Sequence, residues 1–482
     1  MFQTIIDITS KAIETLDPWQ LALLFGAIPI MVIRMLGPAL SKMVHRPGED
    51  IDWDLNSPSV SILVPAYNEA PVIIDSVSSL LKLDYTDHEV IVVNDASTDG
   101  TLESLIYSFK LKPDFSRKPQ ACLSATDIHH IYKSTIFPNL TVIDKKRSGK
   151  GKADALNVGL QFATNSYICT VDADSVLDHD ALKKIMTPFI KDPSTVAVGG
   201  SIRPGNLSKP HQLTSHQPTF VRSLLINAQI LEYHIIFHIT KPLQSLFRTL
   251  FCISGAFGAF PKDKLLAVGG YRDHALTEDI DLTLRLHMHC TERGIPYKIS
   301  HASDAICWTE APYTWQQFFR QRVRWDAGGL RALLDYRHAL FNPSYGWVGL
   351  LVLPILLWYV VGIGLYFLWL YLALALPAQM SLTSSIVLGV IGWLMATGWY
   401  GMAVGYAEHH QKKPIWKQHL YAILMAPLSM LLVSVVGLAA GLVGRFKVLR
   451  PQKALHWGEM TRAGFTASIP TVVPPSLSAH RQ

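Results

Sequence analysis

The stretch Tyr167-Ile-Cys-Thr-Val-Asp-Ala-Asp-Ser175 places an apolar run of strand length directly before two carboxylates. A short apolar run rich in β-branched and aromatic residues is typical of a buried strand. Three comparable runs precede it, with helical stretches between some of them, over residues 60–65, 89–94 and 139–143. This alternation predicts an α/β domain with a mostly parallel sheet and helices on both faces.

Polar residues follow three of these four predicted strands. Because ligands of such sheets bind beyond the carboxyl ends of the strands, we expect a site at this edge. Tyr67 follows the first strand and belongs either to a simple Pro-Asn turn or to a flat face for a nucleobase. Asp95 follows the second and is free to accept a hydrogen bond from a nucleobase, while residues 97–99 cap the next helix.

The pair Asp172 and Asp174 ends the fourth strand. Two carboxylates at this spacing project the same way and repel each other, so a cation between them resolves the conflict. Hard oxygen ligands without Cys or His favour Mg²⁺ or Mn²⁺. Capping of the following helix is the alternative.

The basic segment 145–152 invites comparison with a phosphate-binding loop. It fails the G-x-x-x-x-G-K-[ST] pattern because no hydroxyl residue follows Lys152. A basic, Gly-containing entry to a helix still suits a diphosphate, since helix N-terminal amides favour anions.

Two further motifs lie downstream of the predicted sheet. Thr277-Glu-Asp279 opens an amphipathic helix; Thr277 can be only a cap, but the acid pair is also suited to a general base. Gln321-Arg-Val-Arg-Trp325 offers either lipid-facing arginines or a cationic fork for phosphate with a ring for a sugar face.

The composition indicates a membrane protein with a globular part. Hydrophobic residues make up 49% of the 482 residues and charged residues 17%, against roughly 25% charged in soluble proteins. Five scattered cysteines form no zinc set and fit a reducing compartment. The net charge of +6 fits cytoplasmic-side Lys and Arg rather than nucleic-acid binding.

Four long apolar segments predict membrane contact, over residues 21–40, 347–376, 382–406 and 418–444. Lys42 and Arg46 after the first segment place the following domain in the cytoplasm. The last segment either crosses once or is broken near Pro427 with both ends inside; the basic tail favours the second arrangement.

We therefore predict four parts in a multi-pass protein of the inner or plasma membrane. They are an N-terminal anchor with its linker, a cytoplasmic catalytic domain with interfacial helices, a C-terminal transmembrane region and a basic tail, over residues 1–57, 58–346, 347–444 and 445–482.

Taken in order, these motifs resemble the inverting, processive family 2 glycosyltransferases, which include cellulose, hyaluronan, chitin and poly-N-acetylglucosamine synthases. The likeness covers residues 58–330 in motif detail and implies a GT-A-like fold. Asn94 is a small departure, since many members have a second acid there.

The resemblance also implies a role for each motif. Asp279, beside Glu278, is implied as the catalytic base, and Asp172 and Asp174 as ligands of Mg²⁺ or Mn²⁺. The implied donor-binding set, in which Tyr67 and Asp95 hold the uracil, is Tyr67, Glu69, Asp95, Lys152, Asp172, Asp174, Gln321, Arg324 and Trp325. The implied lining of the acceptor channel is Ser254, Gly255, Phe257 and Trp308.

The implied partners are a UDP-sugar, the growing polysaccharide and the lipid bilayer, with accessory export subunits as a further class that this layout allows. We rank UDP-GlcNAc polymerisation first and a β-glucan made from UDP-glucose second. A non-processive transfer to a lipid carrier is a third possibility, against which the Gln-x-x-Arg-Trp motif counts. A transporter with a nucleotide-sensing domain fits least well, because four apolar segments are few and no internal repeat is visible.

Overall fold

Ten strands form one sheet in the computed structural model. The structure describes residues 51, 53, 57–120, 123, 128–148, 151–205, 220–273, 275–362, 393–394, 397–398, 401, 420 and 423–449. The strands are β1 Val60–Ala66, β2 His88–Asn94, β3 Leu111–Pro113, β4 Ile128–Ser134, β5 Leu140–Lys145, β6 Tyr167–Val171, β7 Ser175–Leu177, β8 Thr195–Pro204, β9 Phe257–Pro261 and β10 Lys298–Thr309. Their order across the sheet is β3-β4-β5-β2-β1-β6-β9-β8-β10-β7.

The four strands predicted from sequence are the parallel centre of this sheet. β1 pairs in parallel with β2 and β6, and β2 pairs in parallel with β5. The prediction of a mostly parallel sheet is confirmed only in part, because the sheet is mixed, although β8 and β10 on one flank also pair in parallel. β4 runs antiparallel to β5 because the link between them is too short for a parallel crossover, and β9 inserts antiparallel between β6 and β8.

Helices cover both faces of the sheet, as predicted. They are α1 Ile73–Leu81, α2 Thr101–Phe109, α3 Lys152–Phe162, α4 Ala181–Lys191, α5 Phe220–Ile235, α6 Lys241–Leu246, α7 Lys262–Ala267, α8 Glu278–Glu292, α9 Trp315–Asp335, α10 Val348–Gly362 and α11 Ala426–Leu449. Successive residues of each central strand face opposite sides of the sheet. Ile62 packs in the core that includes α1, α2 and α4, whereas Leu63 packs in the core beneath α3 and α8.

The apolar segments are described only in part. Residues 21–40, most of 382–406, Lys42, Arg46 and the tail after Leu449 lie outside the described residues. Within the part that the structure describes, one helix, α11, is long and apolar enough to cross a membrane. Pro427 lies in its first turn, where proline is tolerated, and the helix then continues to Leu449.

Helix α11 packs against α5 and α9. Val433 lies in one apolar cluster with Leu225, Ala228 and Phe318. A Cβ on Gly444 would lie 2.7 Å from the carbonyl oxygen of Val323, so only glycine permits this approach of α11 to α9. The apolar helix is thereby joined directly to the helix that carries the Gln-x-x-Arg-Trp motif.

Candidate active site

The carboxyl ends of the central strands meet at one edge of the sheet. In the strand register, Ala66 pairs with Asn94 and Asn94 pairs with Asp144. The amide of Asp95 donates to the carbonyl of Ala66 at 2.8 Å, so the loops after β1 and β2 begin side by side. The polar residues predicted at this edge are therefore brought together.

The loop after β1 presents an aromatic face to solvent. Tyr67 is 45% exposed. Its neighbour Asn68 has φ of 55°, and the Asn68 Oδ1 accepts the amide of Thr98 at 2.8 Å. Glu69 is buried, and its amide donates to Thr101 Oγ1 at 2.9 Å. These bonds lock the β1 loop to the β2 loop and leave the ring of Tyr67 outermost.

Asp95 is buried and already has two partners, so it is not free to accept a hydrogen bond as the sequence predicted. Its Oδ1 is ion-paired with Lys145, and its Oδ2 accepts a hydrogen bond from Ser148 Oγ at 2.9 Å. Lys145, whose side chain is 0% exposed, also pairs with Asp154 at 2.5 Å. Sequence reasoning missed this role of Lys145, because in the sequence it is one of several lysines in a basic segment. The cap position of α2 is occupied by Gly100 without a side-chain capping bond, so the predicted capping by residues 97–99 is not observed, although Asp99 Oδ1 accepts the amide of Thr101 at 3.1 Å.

Lys152 connects three elements of the site. Its ammonium lies 2.5 Å from Asp172 Oδ1 and 3.2 Å from Glu278 Oε1. It also donates to the carbonyl oxygen of Gly255 at 3.2 Å. Lys152 begins α3, Asp172 follows β6 and Glu278 begins α8. A single cation therefore holds the Asp-x-Asp pair and the acid pair together.

The two aspartates after β6 are held differently. Asp174 is buried, and its Oδ1 accepts a hydrogen bond from Thr309 Oγ1 at 3.2 Å. Burial raises the pKa of Asp172, and the charges of Asp174 and Glu278 add to this, although Lys152 opposes them. Two carboxylates that repel in this way form a donor set suited to Mg²⁺ or Mn²⁺.

The acid pair occupies the first turn of α8. Asp279 Oδ1 accepts the amide of Ile280 at 2.8 Å, and its Oδ2 accepts the amide of Gly255 at 3.3 Å. Burial raises the pKa of Asp279, with a further contribution from the neighbouring charge of Glu278. A carboxylate with a raised pKa in a pocket is suited to accept a proton.

Glu278 is perturbed in the opposite direction. Burial opposes its ionisation, but Lys152, its own backbone amide and Arg324 outweigh burial and hold the pKa of Glu278 below its ordinary value. The two adjacent acids thus differ in character, with Glu278 fixed as an anion beside Lys152 and Asp279 easier to protonate.

Helix α9 packs directly on the start of α8. A Cβ on Gly328 would lie 2.1 Å from Thr277 Cγ2, so glycine is required for this contact. Thr277 stands at the cap position but makes no capping side-chain bond, so its predicted role as a cap is not the one the structure shows. Sequence reasoning missed Gly328, although paired glycines inside a helical pattern are a signal of close packing.

The three predicted residues of α9 lie in different surroundings. Gln321 is buried, and among the described residues its Oε1 has no hydrogen-bond partner. Arg324 is exposed and acts on Glu278 through its charge. Trp325 lies under Arg322, whose guanidinium is 4.4 Å from the ring centroid.

Sequence reasoning did not predict a specific partner for Arg322. It forms a two-pronged ion pair with Glu232 of α5, at 2.6 and 2.5 Å. This pair fastens the helix of the Gln-x-x-Arg-Trp motif to α5.

The residues predicted to line an acceptor channel are only partly together. Gly255 touches both Asp279 and Lys152, and Ser254 precedes it. Phe257 is fully buried in the core of the sheet, so its side chain supports the strand rather than the surface of the site. Trp308 donates to Asp178 Oδ1 at 2.8 Å and lies beneath Arg203.

Two family models match this chain. Residues 61–116 match the model described as glycosyl transferase family 2, and residues 167–406 match the model described as glycosyl transferase family group 2. The two matches include the loops that carry Tyr67, Asp95 and Asp172 and the helices that carry Asp279 and Arg324.

Curated relatives include poly-β-1,6-N-acetyl-D-glucosamine synthases. The protein of that name from Staphylococcus epidermidis is 34% identical over 275 residues, which are 57% of this chain and 55% of the relative. The one from Staphylococcus aureus strain COL is 33% identical over the same shares. The chain thus spans about half the length of these relatives.

Among solved structures, this chain is similar to the mannosyltransferase PcManGT from Pyrobaculum calidifontis, solved in complex with GDP-Man and Mn²⁺. The match has a TM-score of 0.51 and 18% identity, and covers 87% of this chain and 98% of the other. At this identity the match shows the fold alone, a GT-A-like fold with a mixed sheet and helices on both faces.

Proposed function

This chain belongs to glycosyltransferase family 2, and we propose that it is an inverting hexosyltransferase that polymerises UDP-GlcNAc into a β-linked polysaccharide. We further propose that it works processively and exports the product across the inner or plasma membrane. The names of the curated relatives support the choice of UDP-GlcNAc.

The observation that carries this proposal is the position of Lys152. Its contacts with Asp172, Glu278 and Gly255 join the end of β6 to the start of α8. A nucleotide diphosphate at the β6 end would therefore lie within reach of the acid pair. Transfer of a sugar from a nucleotide to a hydroxyl needs these groups in this proximity.

For the donor, we propose that Tyr67 stacks on the uracil and that Asp95 Oδ2 accepts its N–H in place of the hydrogen bond from Ser148. The exposed ring of Tyr67 and the adjacent loop ends support this arrangement. Glu69 belongs to the same proposed donor set through its position in the locked loop. Lys152, which already pairs with anionic oxygens, would exchange Asp172 for the diphosphate.

Asp172 and Asp174 would hold a divalent ion, Mg²⁺ or Mn²⁺. Their chemistry fits such an ion, because both are carboxylates at the end of β6 and Asp172 is already in contact with the ammonium of Lys152. When bound, the ion would neutralise the charge on the departing diphosphate.

For the transfer step, we propose Asp279 as the general base, with Glu278 as the anion that positions Lys152. Asp279 would take the proton of the acceptor hydroxyl as that oxygen bonds to C1 of the sugar and the bond from C1 to the diphosphate breaks. Attack on the face opposite the leaving group inverts the configuration at C1. Gln321, Arg324 and Trp325 would bind the diphosphate and the acceptor end.

The export proposal rests on the helices beside the site. The pair formed by Arg322 and Glu232 and the packing of α11 against α9 connect the catalytic edge to an apolar helix. We propose Ser254, Gly255 and Trp308 as acceptor contacts at the entrance of a channel, with Phe257 as support behind them. The four parts predicted from sequence, over residues 1–57, 58–346, 347–444 and 445–482, remain part of this proposal.

A donor screen tests the proposed function. Purified protein in detergent would receive Mg²⁺ or Mn²⁺ with UDP-GlcNAc, UDP-glucose or UDP-glucuronate, and both UDP release and product size would be recorded. We expect high-molecular-weight product from UDP-GlcNAc alone. Polymer from UDP-glucose alone would show that the donor is UDP-glucose and not UDP-GlcNAc. A short product that partitions into organic solvent would indicate transfer to a lipid carrier instead of processive synthesis.

A further inference from the structure

A second cluster of potential metal ligands lies on the edge of the sheet, away from the acid pair. His129 and His130 are adjacent in β4, and residues adjacent in a regular strand face opposite sides. Here the register with β5 shifts, since Ile128 pairs with Lys145 and His130 pairs with Asp144. His129 is thus the extra residue of a β-bulge, which re-aims its side chain. The two imidazole centroids lie only 3.9 Å apart.

The third member is Asp144 of β5. Its Oδ2 lies 3.3 Å from His129 Nδ1, and its Oδ1 accepts a hydrogen bond from Asn94 Nδ2 at 2.8 Å. One ligand atom from each of His129, His130 and Asp144 lies within 4.8 Å of the others. Asn94 therefore fixes one carboxylate oxygen and leaves the other facing the histidines.

We propose that His129, His130 and Asp144 bind a divalent first-row transition-metal ion of the zinc type. Two ligand atoms bound at ~2.0–2.1 Å in a tetrahedral shell are roughly 3.3 Å apart, which matches the distance between His129 and Asp144. A rotation of the His130 ring completes three protein ligands and leaves a fourth position for water.

The chemistry of this cluster differs from that of Asp172 and Asp174. Imidazole nitrogen favours zinc, copper and nickel, whereas a set of carboxylates favours magnesium and manganese. The hydrogen bond from Asn94 to Asp144 is the kind of outer contact that orients a metal-bound carboxylate. The side chain of His129 is 55% exposed, so an ion has a path from solvent.

The site would join β4 to β5 beside the proposed donor pocket. Asn94 precedes Asp95, and Lys145, which pairs with Asp95, follows Asp144. An ion held by β4 and β5 would fix the end of β5 that positions Lys145. Its binding should therefore raise the melting temperature of the protein.

Zinc binding to the full chain tests the proposal. The protein would be purified in detergent without a polyhistidine tag, and Zn²⁺ binding would be measured by calorimetry and equilibrium dialysis. His130→Ala is the test variant, and His338→Ala, an exposed histidine outside the cluster, is the matched control. We expect His130→Ala to weaken one Zn²⁺ site by roughly tenfold or more and His338→Ala to leave that site unchanged.

Two further measurements separate this site from the donor site. Co²⁺ should give visible absorption with the wild-type protein that His130→Ala loses and Asp172→Asn retains. Zn²⁺ should also raise the melting temperature of Asp172→Asn but not that of His130→Ala. Equal Zn²⁺ affinity in the His130→Ala and His338→Ala variants would overturn the proposal, as would a Co²⁺ spectrum that depends on Asp172 alone.

Discussion

Two lysines of the site, Lys145 at the end of β5 and Lys152 at the start of α3, each lie between two carboxylates. Lys145 pairs with Asp95 and Asp154, and its side chain is 0% exposed. Lys152 pairs with Asp172 and Glu278, and its side chain is 29% exposed. The first pairing is sealed inside the domain, whereas the second opens to the surface where a diphosphate would bind.

The difference separates a structural cation from an exchangeable one. Removing Lys145 would leave buried carboxylates that water cannot reach. Removing Lys152 would leave carboxylates that solvent, a metal ion or a diphosphate can still approach. We therefore expect the Lys145 side to control stability and the Lys152 side to control turnover.

The largest expected effect tests whether Asp279, which lies on the same side of the site as Lys152, is the general base. Asp279→Asn removes the proposed base but keeps the size of the side chain, so UDP release with UDP-GlcNAc should fall by about 10²–10⁴-fold. UDP binding, measured by calorimetry, should stay within a few-fold of wild type. Turnover that survives this substitution would contradict the assignment of Asp279.

The next effect concerns the buried cation. Lys145→Met leaves Asp95 and Asp154 without their shared partner and should lower the free energy of unfolding by about 3–5 kcal/mol. Thermal or denaturant unfolding in detergent measures this change.

Lys183→Met is the matched control for that experiment. Lys183 pairs with Asp84 at 2.7 Å on the surface, with side chains 25% and 50% exposed. Because exposed ion pairs contribute little, the control should cost about 0–1 kcal/mol. Equal losses of unfolding free energy in Lys145→Met and Lys183→Met would show that the buried pairing of Lys145 contributes no more to stability than an exposed ion pair.

Lys152, the partly exposed lysine of the site, should affect ligand binding more than stability. Lys152→Met removes a cation that competes with metal for Asp172, so Mn²⁺ affinity without nucleotide should rise, by up to about tenfold. Affinity for UDP should fall, because the diphosphate loses a partner, while the melting temperature should change little. Mn²⁺ titration followed by electron paramagnetic resonance measures the first effect, and weaker Mn²⁺ binding would show that Lys152 supports the metal site instead.

The role of Lys152 can be predicted from the sequence better than the role of Lys145. The strand ends at Asp95 and Asp172 follow from apolar runs of clear length, and Lys152 stands out because it opens a helix after a glycine. Lys145 does not stand out, since its pairing with Asp95 spans 50 residues and depends on the register of β2 with β5.

The departures of the sheet from the prediction have the same physical origin. The antiparallel insertion of β9 between β6 and β8 joins segments far apart in the chain, so no local sequence pattern predicts it. The bulge at His129 also depends on pairing with β5 and not on the sequence of β4. Local periodicity predicts elements, whereas register decides which side chains meet.

The smallest expected effect concerns the pH dependence that Asp279 and Glu278 give to the reaction. Asp279 must be ionised to accept a proton, and burial together with Glu278 raises its pKa. The rate should therefore fall as pH falls through a value above the ordinary aspartate pKa of about 3.9. Glu278→Gln removes the neighbouring negative charge, which lowers the pKa of Asp279 and moves this acid limb to lower pH.

The pH profile of kcat/KM for UDP release measures that shift. Asp263→Asn, whose carboxylate is 70% exposed beside Lys264, should leave the limb in place, because an exposed acid is screened by solvent. A limb that moves to higher pH in Glu278→Gln would mean that Glu278 acts mainly by holding Lys152 near Asp279, since loss of that cation would raise the pKa of the base. The direction of the shift therefore distinguishes direct repulsion between the two acids from an effect relayed through the exchangeable lysine.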